Sequence, residues 1–362
     1  MNTEKDANAA NEQPDPFADP ALRPPGLWRT LCESFGGKRR LLDVVQVEVS
    51  SLCPGKCLYC PHTTMQEQWK GRHMRAETYA RLWPLLLESG RAHLQGWGEP
   101  FLHPRFIDMA VLARRAGCRV STTTCGLHMT EELAAALVDS GLDIIAFSLA
   151  GTTAESNDAL RAGVPFERVA AAIRLLQTVR RQKNGVHLEI HIAYLMLADR
   201  TAEIRALPDL MQKLDVHAAV VSTLDYIPSP DLAARAFAPH EREKIDAARQ
   251  ELEQAAGRAA AMGLSLYHTL PDAQPGPACL ENPARNAYVD AEGNMSPCIY
   301  LNLPAAMPES LRRVYGSCLH DNPVNVWQSD AFAAFRAALA SGNPDPLCRN
   351  CPKRYTGGGR EE

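Results

Sequence analysis

The stretch DVVQVEVSSLCPGKCLYC, residues 43–60, decides how the rest of the sequence is interpreted. Its first seven residues are rich in valine, which predicts a β-strand over 43–49. The loop that follows contains Cys53, Cys57 and Cys60 in the spacing CxxxCxxC. Enzymes built on parallel sheets place their chemistry at the carboxyl ends of strands, so this loop is a candidate site.

Three cysteines so close together predict a site for a metal or a metal cluster. Three thiolates do not complete the four-ligand set of a structural zinc site. They can hold three irons of a [4Fe–4S] cluster, which leaves the fourth iron open to another ligand. A zinc site that borrows a fourth ligand such as His62 is the alternative.

Short apolar runs alternate with helical patterns up to about residue 225. Strands are predicted at 43–49, 92–96, 118–124, 143–149, 186–193 and 217–223, and helices are predicted to start near Ala76, Arg105, Thr130, Phe166 and Thr201. This alternation predicts an α/β fold with a parallel sheet. A complete barrel takes about 250 residues, so a partial (β/α)6 TIM-like barrel is expected. An open doubly wound sheet is the alternative.

The pattern changes after this region. Residues 239–262 predict a long surface helix that joins two domains, residues 287–297 predict a hairpin that turns at Gly293, and residues 329–342 predict a helix. The end of the chain is rich in cysteine and loops, which predicts a small α+β domain stabilised by a metal. The predicted parts are a disordered tail over 1–26, a core over 40–230, a linker helix over 231–264 and a second domain over 265–362.

The three cysteines, with the aromatic Tyr59 before the third, resemble the CxxxCxΦC motif of the radical SAM superfamily. The resemblance implies that the open iron binds the amino and carboxylate groups of S-adenosylmethionine. It also implies that the reduced cluster cleaves this cofactor to methionine and a 5′-deoxyadenosyl radical, which takes a hydrogen atom from substrate. The protein then supplies orientation and exclusion of water.

Two later segments resemble superfamily motifs that contact the methionine part of the cofactor. Gly98 and Glu99 match a GGEP motif whose backbone and glutamate contact the amino group, although Trp97 stands where the first glycine is usual. Arg161 matches an RxG segment whose arginine pairs with the carboxylate, for which a guanidinium is well suited. A surface salt bridge is the alternative for Arg161.

Two more segments end predicted strands. Thr124, which the resemblance implies to be a cofactor-binding residue, precedes Cys125 where relatives have TNG. Ser148 begins a segment that resembles SxDG, with Ala150 in place of the aspartate. Ser148 is expected to bind the ribose or carboxylate of the nucleoside. Cys125 is expected to be a small buried residue, with hydrogen donation as the alternative.

A second set of cysteines resembles the SPASM and twitch extensions of radical SAM enzymes. Thirteen residues separate Cys279 from Gly293, four more precede Cys298, and Cys348 and Cys351 form a later CxxC pair. The resemblance implies that these four cysteines hold one auxiliary [4Fe–4S] cluster. A zinc site is the alternative, since four thiolates also suit that ion. Cys318 is a spare, interpreted as buried rather than as a ligand or donor.

Composition excludes some functions. The net charge is −4 and no long run of Lys and Arg stands out, so a nucleic-acid partner is not expected. The longest apolar runs are far shorter than the roughly 20 residues that cross a membrane, so none is expected. The first residues are polar and acidic, which predicts a cytoplasmic protein.

The sequence thus predicts a radical SAM oxidoreductase that acts on a peptide, a protein or a small metabolite. Residues 95–104 also resemble SPASM-type proteins thought to be maturases of metalloenzymes. A reductant such as flavodoxin or ferredoxin is expected as partner. A non-catalytic zinc scaffold is the alternative. No substrate-side base can be assigned, and the candidates, each more easily explained as structural, are His62, His93, His103 and Glu189.

Overall fold

The structure is a computed structural model and describes residues 14–23, 40–183, 187–272, 274–276 and 279–355. Within these residues the strands are β1 (Leu42–Val47), β2 (Lys56–Cys57), β3 (Ser89–His93), β4 (Arg119–Thr124), β5 (Ile144–Leu149), β6 (Arg161–Ala162), β7 (Glu189–Met196), β8 (Ala218–Thr223), β9 (Ser265–His268), β10 (Asn286–Val289), β11 (Asn294–Ser296) and β12 (Gly316–Ser317). The helices are α1 (Pro61–Thr64), α2 (Ala76–Ala80), α3 (Trp83–Leu87), α4 (Phe106–Arg115), α5 (Glu131–Asp139), α6 (Ala154–Asp158), α7 (Phe166–Gln182), α8 (Leu207–Lys213), α9 (Arg242–Ala261), α10 (Pro323–Gln328) and α11 (Asp330–Ala340).

One ten-stranded sheet organises the molecule, in the order β12-β11-β10-β1-β3-β4-β5-β7-β8-β9. All neighbours from β10 through β1 to β9 are parallel, and only β10, β11 and β12 are antiparallel to one another. The six predicted strands are present as β1, β3, β4, β5, β7 and β8. The predicted α/β class is therefore confirmed. Alternate residues of β7 are buried, because one face of this strand packs under the helices.

Helix α9 has a different role from the predicted one. It connects β8 to β9, and β9 pairs in parallel with β8 at Ala218 and Ser265. Its buried residues recur at three- or four-residue spacings from Ile245 to Ala259, which gives it an apolar face toward the sheet. The helix is thus a crossover within the sheet rather than a link between two bodies.

The prediction that residues 1–26 form a disordered tail is wrong for residues 14–23. Phe17 and Leu22 are buried there, and the Phe17 ring meets the Tyr79 ring edge-on at a centroid distance of 6.1 Å. The Arg105 guanidinium also lies over the Phe17 ring, at 4.8 Å. Two apolar side chains are enough to dock this otherwise polar segment. The rest of the predicted tail lies outside the described residues.

The C-terminal cysteine-rich region is joined directly to the sheet. β10 pairs in parallel with β1, and β10 and β11 form the predicted hairpin. Gly293 turns the hairpin at a φ of +89°, a conformation that glycine adopts without strain. Cys318 is buried beneath this turn.

Replacing Gly293 with alanine is expected to lower the free energy of unfolding by about 1–3 kcal/mol, since a non-glycine residue is strained at this φ. A Cβ there would also lie 2.7 Å from Cys318 Sγ. Gly257→Ala in α9 is the matched control: its Cβ would meet no atom within 4 Å. Alanine should stabilise a helix interior by about 0.5–1 kcal/mol. Urea titrations followed by circular dichroism measure both changes, and a loss of equal size in the two variants would contradict the assignment.

Candidate functional site

A cavity of about 420 Å³ opens at the carboxyl ends of the parallel strands. Residues that end or follow β1, β3, β4, β5, β7 and β8 line it. The structure brings all the residues predicted from the first loop and the later motifs to this one cavity: Cys53, Cys57, Cys60, Tyr59, Gly98, Glu99, Thr124, Ser148 and Arg161. Residues 108 positions apart in sequence thus share one site, because the carboxyl ends of parallel strands meet at one edge of a sheet.

The cysteine loop curls around Gly55. The sulfurs of Cys53 and Cys57 each lie 3.6 Å from the position that a Gly55 Cβ would take, and Val164 lies even closer to it. A side chain at this position would therefore push into the space between the sulfurs. The short strand β2 then pairs Cys57 with Arg161 of β6, which fixes the two residues side by side.

Gly98 presses the loop after β3 against the cysteine loop. A Cβ at Gly98 would lie 2.6 Å from the Leu52 carbonyl oxygen and still closer to that of Ser50. The Glu99 amide donates a hydrogen bond of 2.7 Å to the Leu52 carbonyl. Only glycine permits so close an approach of the two loops, which explains why the motif requires a glycine at this position.

The Glu99 carboxylate is buried and oriented by the end of β4. Its Oε1 accepts hydrogen bonds from the Thr124 hydroxyl at 2.7 Å and the Phe101 amide at 3.1 Å. Its Oε2 accepts from the Cys125 amide at 2.7 Å. A carboxylate has about four acceptor positions, so one remains on Oε2 for a ligand. The Thr124 hydroxyl positions Glu99, a task that the sequence did not predict.

Arg161 is buried against Tyr59 rather than exposed in a surface ion pair. Its guanidinium donates to the Tyr59 hydroxyl at 3.2 Å, and its Nε is buried with no hydrogen-bond partner among the described residues. A buried charged donor without a partner is costly unless a ligand supplies the acceptor. The cavity therefore fits an anionic group such as a carboxylate beside Arg161.

The three thiolates of the first loop can hold three irons of a [4Fe–4S] cluster and leave the fourth iron open. No three His, Cys, Asp or Glu side chains in the described ranges are arranged to hold one shared ion. A tetrahedral zinc site needs its ligands to converge on one point at about 2.0–2.3 Å. His62, the proposed fourth zinc ligand, instead packs edge-on against Trp69 with a ring distance of 5.2 Å.

Burial keeps the Cys53 and Cys60 thiols protonated at neutral pH. Burial raises the pKa of the Cys53 thiol to about 11 and that of Cys60 to about 12. Metal binding must therefore displace protons from these thiols, as is usual for thiolate ligands.

A second cavity, of about 440 Å³, gathers the second set of cysteines. Cys279, Cys298, Cys348 and Cys351 all line it, among mostly apolar neighbours. Burial raises the pKa of both Cys279 and Cys348 to about 12. Cys318 does not line this cavity, as expected for a buried spare residue.

Local contacts hold the C-terminal CxxC turn in place. The Asp345 carboxylate accepts from the Leu347 amide at 2.9 Å and pairs with the Arg313 guanidinium at 2.6 Å. The Leu280 amide donates to the Lys353 carbonyl at 3.0 Å, which lays the segment after Cys279 beside the segment after Cys351. The long gap between these cysteines is thus bridged by backbone contacts.

None of the four candidate bases lines the first cavity. His93 is within the sheet, with its Nδ1 2.9 Å from the Ser121 hydroxyl, and burial lowers its pKa to about 4. The His103 ring is buried against the Met74 carbonyl, and Glu189 pairs with His191. These contacts support structural roles for His93, His103 and Glu189 rather than roles as catalytic bases.

The residues of the first cavity that the sequence analysis did not identify include Asp225, Tyr226, Tyr300 and Lys353. Asp225 and Tyr226 follow β8 directly, and polar residues after a barrel strand are a signal that could have revealed them. Tyr300 and Lys353 come from the C-terminal region, and no spacing in the sequence marks them. They reach the cavity because that region packs over the open ends of the strands.

A parallel sheet with a three-cysteine loop at its carboxyl edge and a second four-cysteine cavity defines a cluster-binding α/β protein. Residues 47–192 match the model of the radical SAM superfamily, and residues 279–352 match the SPASM iron–sulfur cluster-binding domain. The chain therefore belongs to the radical SAM superfamily and carries a SPASM domain. Membership implies the [4Fe–4S] clusters and the S-adenosylmethionine that the motifs predicted.

Curated relatives are similar at low identity. The PqqA peptide cyclase of Methylocella silvestris is 25% identical over 313 residues, which cover 85% of this chain and 79% of that protein. The tungsten-containing aldehyde ferredoxin oxidoreductase cofactor-modifying protein of Pyrococcus furiosus is 23% identical over 195 residues, 51% of this chain. The match spans about half of that relative, 52% of its length.

Solved structures share the fold. Native anSMEcpe with bound AdoMet superposes with a TM-score of 0.63 at 14% identity, covering 85% of this chain and 88% of that one. Streptococcus suis SuiB bound to S-adenosylmethionine gives a TM-score of 0.62 at 14% identity, covering 86% and 70% of the two chains. The predicted partial barrel is confirmed by this likeness. No helix in the described part of the chain is long and apolar enough to cross a bilayer.

Iron content tests which cysteines of the C-terminal region are ligands. Cys348→Ala is expected to lower iron and sulfide of the anaerobically reconstituted protein by about half, because one of two clusters loses a ligand. Cys318→Ala is the matched control and should keep the full content, since Cys318 is buried beneath the Gly293 turn. An equal loss in both variants would make Cys318 a ligand.

Proposed function

We propose that this chain is a radical SAM oxidoreductase that cleaves S-adenosylmethionine at a cluster bound by Cys53, Cys57 and Cys60 and takes a hydrogen atom from a peptide or protein substrate. The observation that carries this proposal is the buried, unpartnered Nε of Arg161 in the cavity that the three cysteines also line. A carboxylate acceptor is missing there, and the methionine part of the cofactor has one.

Two oppositely charged side chains would bind the two charged groups of the methionine part of the cofactor. Arg161 would bind its carboxylate, and Glu99, with one acceptor position left on Oε2, would bind its amino group. Ser148 would bind the ribose, and Tyr59 holds the Arg161 guanidinium in place. When bound, the reduced cluster would supply the electron that breaks a C–S bond of the cofactor. Reduced flavodoxin or ferredoxin would be the protein that reduces the cluster.

The second cavity would hold one auxiliary [4Fe–4S] cluster through Cys279, Cys298, Cys348 and Cys351. Four cysteines match the four irons of such a cluster and leave no iron open. Their cavity shares Asp225, Tyr226 and Tyr300 with the first, so a single layer of side chains separates the two sites. An auxiliary cluster held by these cysteines would therefore lie next to the first cavity.

A peptide substrate is supported by the relatives rather than by the cavity alone. The Methylocella silvestris relative that spans most of this chain is named a peptide cyclase. Solved structures of similar fold include anSMEcpe with a bound Cp18Cys peptide and SuiB bound to its precursor peptide SuiA. A cavity open at the edge of the sheet would admit a side chain of such a peptide.

The direct test measures cofactor cleavage. Reconstituted protein reduced with dithionite and mixed with S-adenosylmethionine is expected to form 5′-deoxyadenosine, detected by liquid chromatography and mass spectrometry. Cys57→Ala should abolish the product, because the open iron depends on three thiolates in one loop. Cys318→Ala, outside both cavities, should still form it. Product from Cys57→Ala at the wild-type rate would refute the assignment of this site.

Arg161→Lys tests the carboxylate contact separately. A lysine keeps the charge but loses the planar fork, so binding of S-adenosylmethionine is expected to weaken by about tenfold or more. Isothermal titration of the oxidised, reconstituted protein measures the dissociation constant without turnover. Arg168→Lys, an exposed residue of α7, is the control and should bind as the wild type does. Unchanged affinity in Arg161→Lys would remove Arg161 from the site.

A further inference from the structure

A wall of aromatic rings separates the two cavities. Trp97, Tyr226 and Tyr300 form this aromatic wall, and all three line the first cavity, while Tyr226 and Tyr300 also line the second. Nothing in the cofactor contacts described above uses these rings. They belong to the part of the first cavity that the proposed contacts with the cluster and S-adenosylmethionine do not use.

The rings brace one another. The Trp97 ring meets Tyr226 at 5.7 Å and Tyr300 at 5.8 Å, both edge-to-face, and the two tyrosines stack at 6.3 Å. The indole N–H of Trp97 donates to the Ile299 carbonyl at 3.3 Å, which fixes its orientation. All three rings are half-buried, so each still offers part of its surface to the cavity.

Trp97 is the residue that departs from the usual GGEP motif, and the aromatic wall gives that departure a reason. The Trp97 amide donates to the buried Glu48 carboxyl at 2.8 Å, so the backbone keeps its place in the loop. Its side chain packs against Tyr226 and Tyr300 within the aromatic wall. A glycine here would leave a gap where the chain instead builds an aromatic surface.

The charges beside the aromatic wall are already paired. Lys353 Nζ lies 2.8 Å from an oxygen of Asp225 and 3.4 Å from one of Glu281, and it sits 5.8 Å from the Tyr300 ring centre. The other Asp225 oxygen accepts from the Thr223 hydroxyl at 2.8 Å. The Lys353 ammonium thus lies between two carboxylates, which leaves this group with a net charge of −1, and it already occupies the cation position at the Tyr300 ring.

We infer that the aromatic wall is the substrate subsite and that it takes an uncharged aromatic side chain of the peptide. Half-buried rings attract another ring edge-on or offset, because the positive edge of one meets the negative face of the other. An aliphatic side chain would gain burial alone. This inference rests on the proposed function, since it assumes that a substrate enters the cavity beside the cofactor.

Three small probes test the inference without needing the natural peptide. N-acetyl-L-tyrosinamide, N-acetyl-L-leucinamide and N-acetyl-L-lysinamide are titrated separately into the anaerobic, oxidised holoenzyme with S-adenosylmethionine present, and calorimetry or saturation-transfer NMR gives each dissociation constant. The tyrosine probe is expected to bind about three- to tenfold more tightly than the leucine probe. The lysine probe is expected to bind more weakly than the tyrosine probe, because it brings no ring and Lys353 already occupies the cation position at Tyr300.

Substitutions in the aromatic wall test whether these rings cause the preference for the tyrosine probe. Tyr226→Leu and Tyr300→Leu are each expected to lower the tyrosine-to-leucine ratio toward one, whereas Tyr226→Phe keeps the ring and should keep the ratio. Tyr267→Leu is the matched control, since Tyr267 is 59% exposed on β9 and lines neither cavity. Equal affinities for the three probes, tightest binding of the lysine probe, or a ratio unchanged in both leucine variants would overturn the inference.

The inference and the proposed function fail separately. Formation of 5′-deoxyadenosine by the wild-type protein together with no aromatic preference would overturn the subsite alone. An aromatic preference that depends on Tyr226, with no cleavage of S-adenosylmethionine, would support the subsite and overturn the proposed chemistry.

Discussion

The backbone contact at Gly98 holds the first site together. Gly98 lies against the carbonyls of Ser50 and Leu52, too close for any side chain, and the adjacent Glu99 amide bonds to Leu52. The loop that bears Cys53 and the loop that bears Glu99 therefore move as one unit. This contact fixes Glu99 relative to the cysteine loop, and the pairing of Cys57 with Arg161 fixes Arg161 relative to the same loop.

The C-terminal region is tied to the same unit through β1. The pairing of β1 with β10 carries the sheet into this region, and the Glu48 amide at the end of β1 donates to the Val289 carbonyl at 2.8 Å. The side chain of Glu48 accepts from the Trp97 amide. Burial raises the pKa of Glu48 to about 8, so this carboxyl is mostly protonated at neutral pH. It therefore places no uncompensated charge between β1 and the C-terminal region. One residue thus links the loop after β3 to the second domain.

The parts of the molecule that could be predicted are those that depend on local spacing. The cysteine loop, the glycine of the Gly293 turn and the ends of the parallel strands follow from short motifs and periodicity. The role of α9 could not be predicted, because periodicity shows a helix but not the short strand β9 that it leads to. The docked segment around Phe17 was also missed, since two apolar residues in a polar tail give little pattern.

At the site itself, the features that the sequence could not predict are contacts between residues far apart along the chain. Asp225 and Lys353 are 128 residues apart in sequence, and only the packing of the C-terminal region over β8 brings them together. The Thr124 hydroxyl was assigned to the cofactor, yet it bonds to Glu99, a contact that depends on the neighbouring strands β3 and β4. Histidines were considered as bases by residue type alone, and their positions under helices and within the sheet were not visible in the sequence.

The central claim is that three sulfurs in one loop leave a single iron open to S-adenosylmethionine. Electron paramagnetic resonance of the dithionite-reduced, reconstituted protein, recorded with and without that cofactor, tests it most directly. The spectrum of the reduced cluster should change when S-adenosylmethionine is added, because the ligand binds the iron itself. A cluster spectrum that is identical in the two samples would contradict the claim.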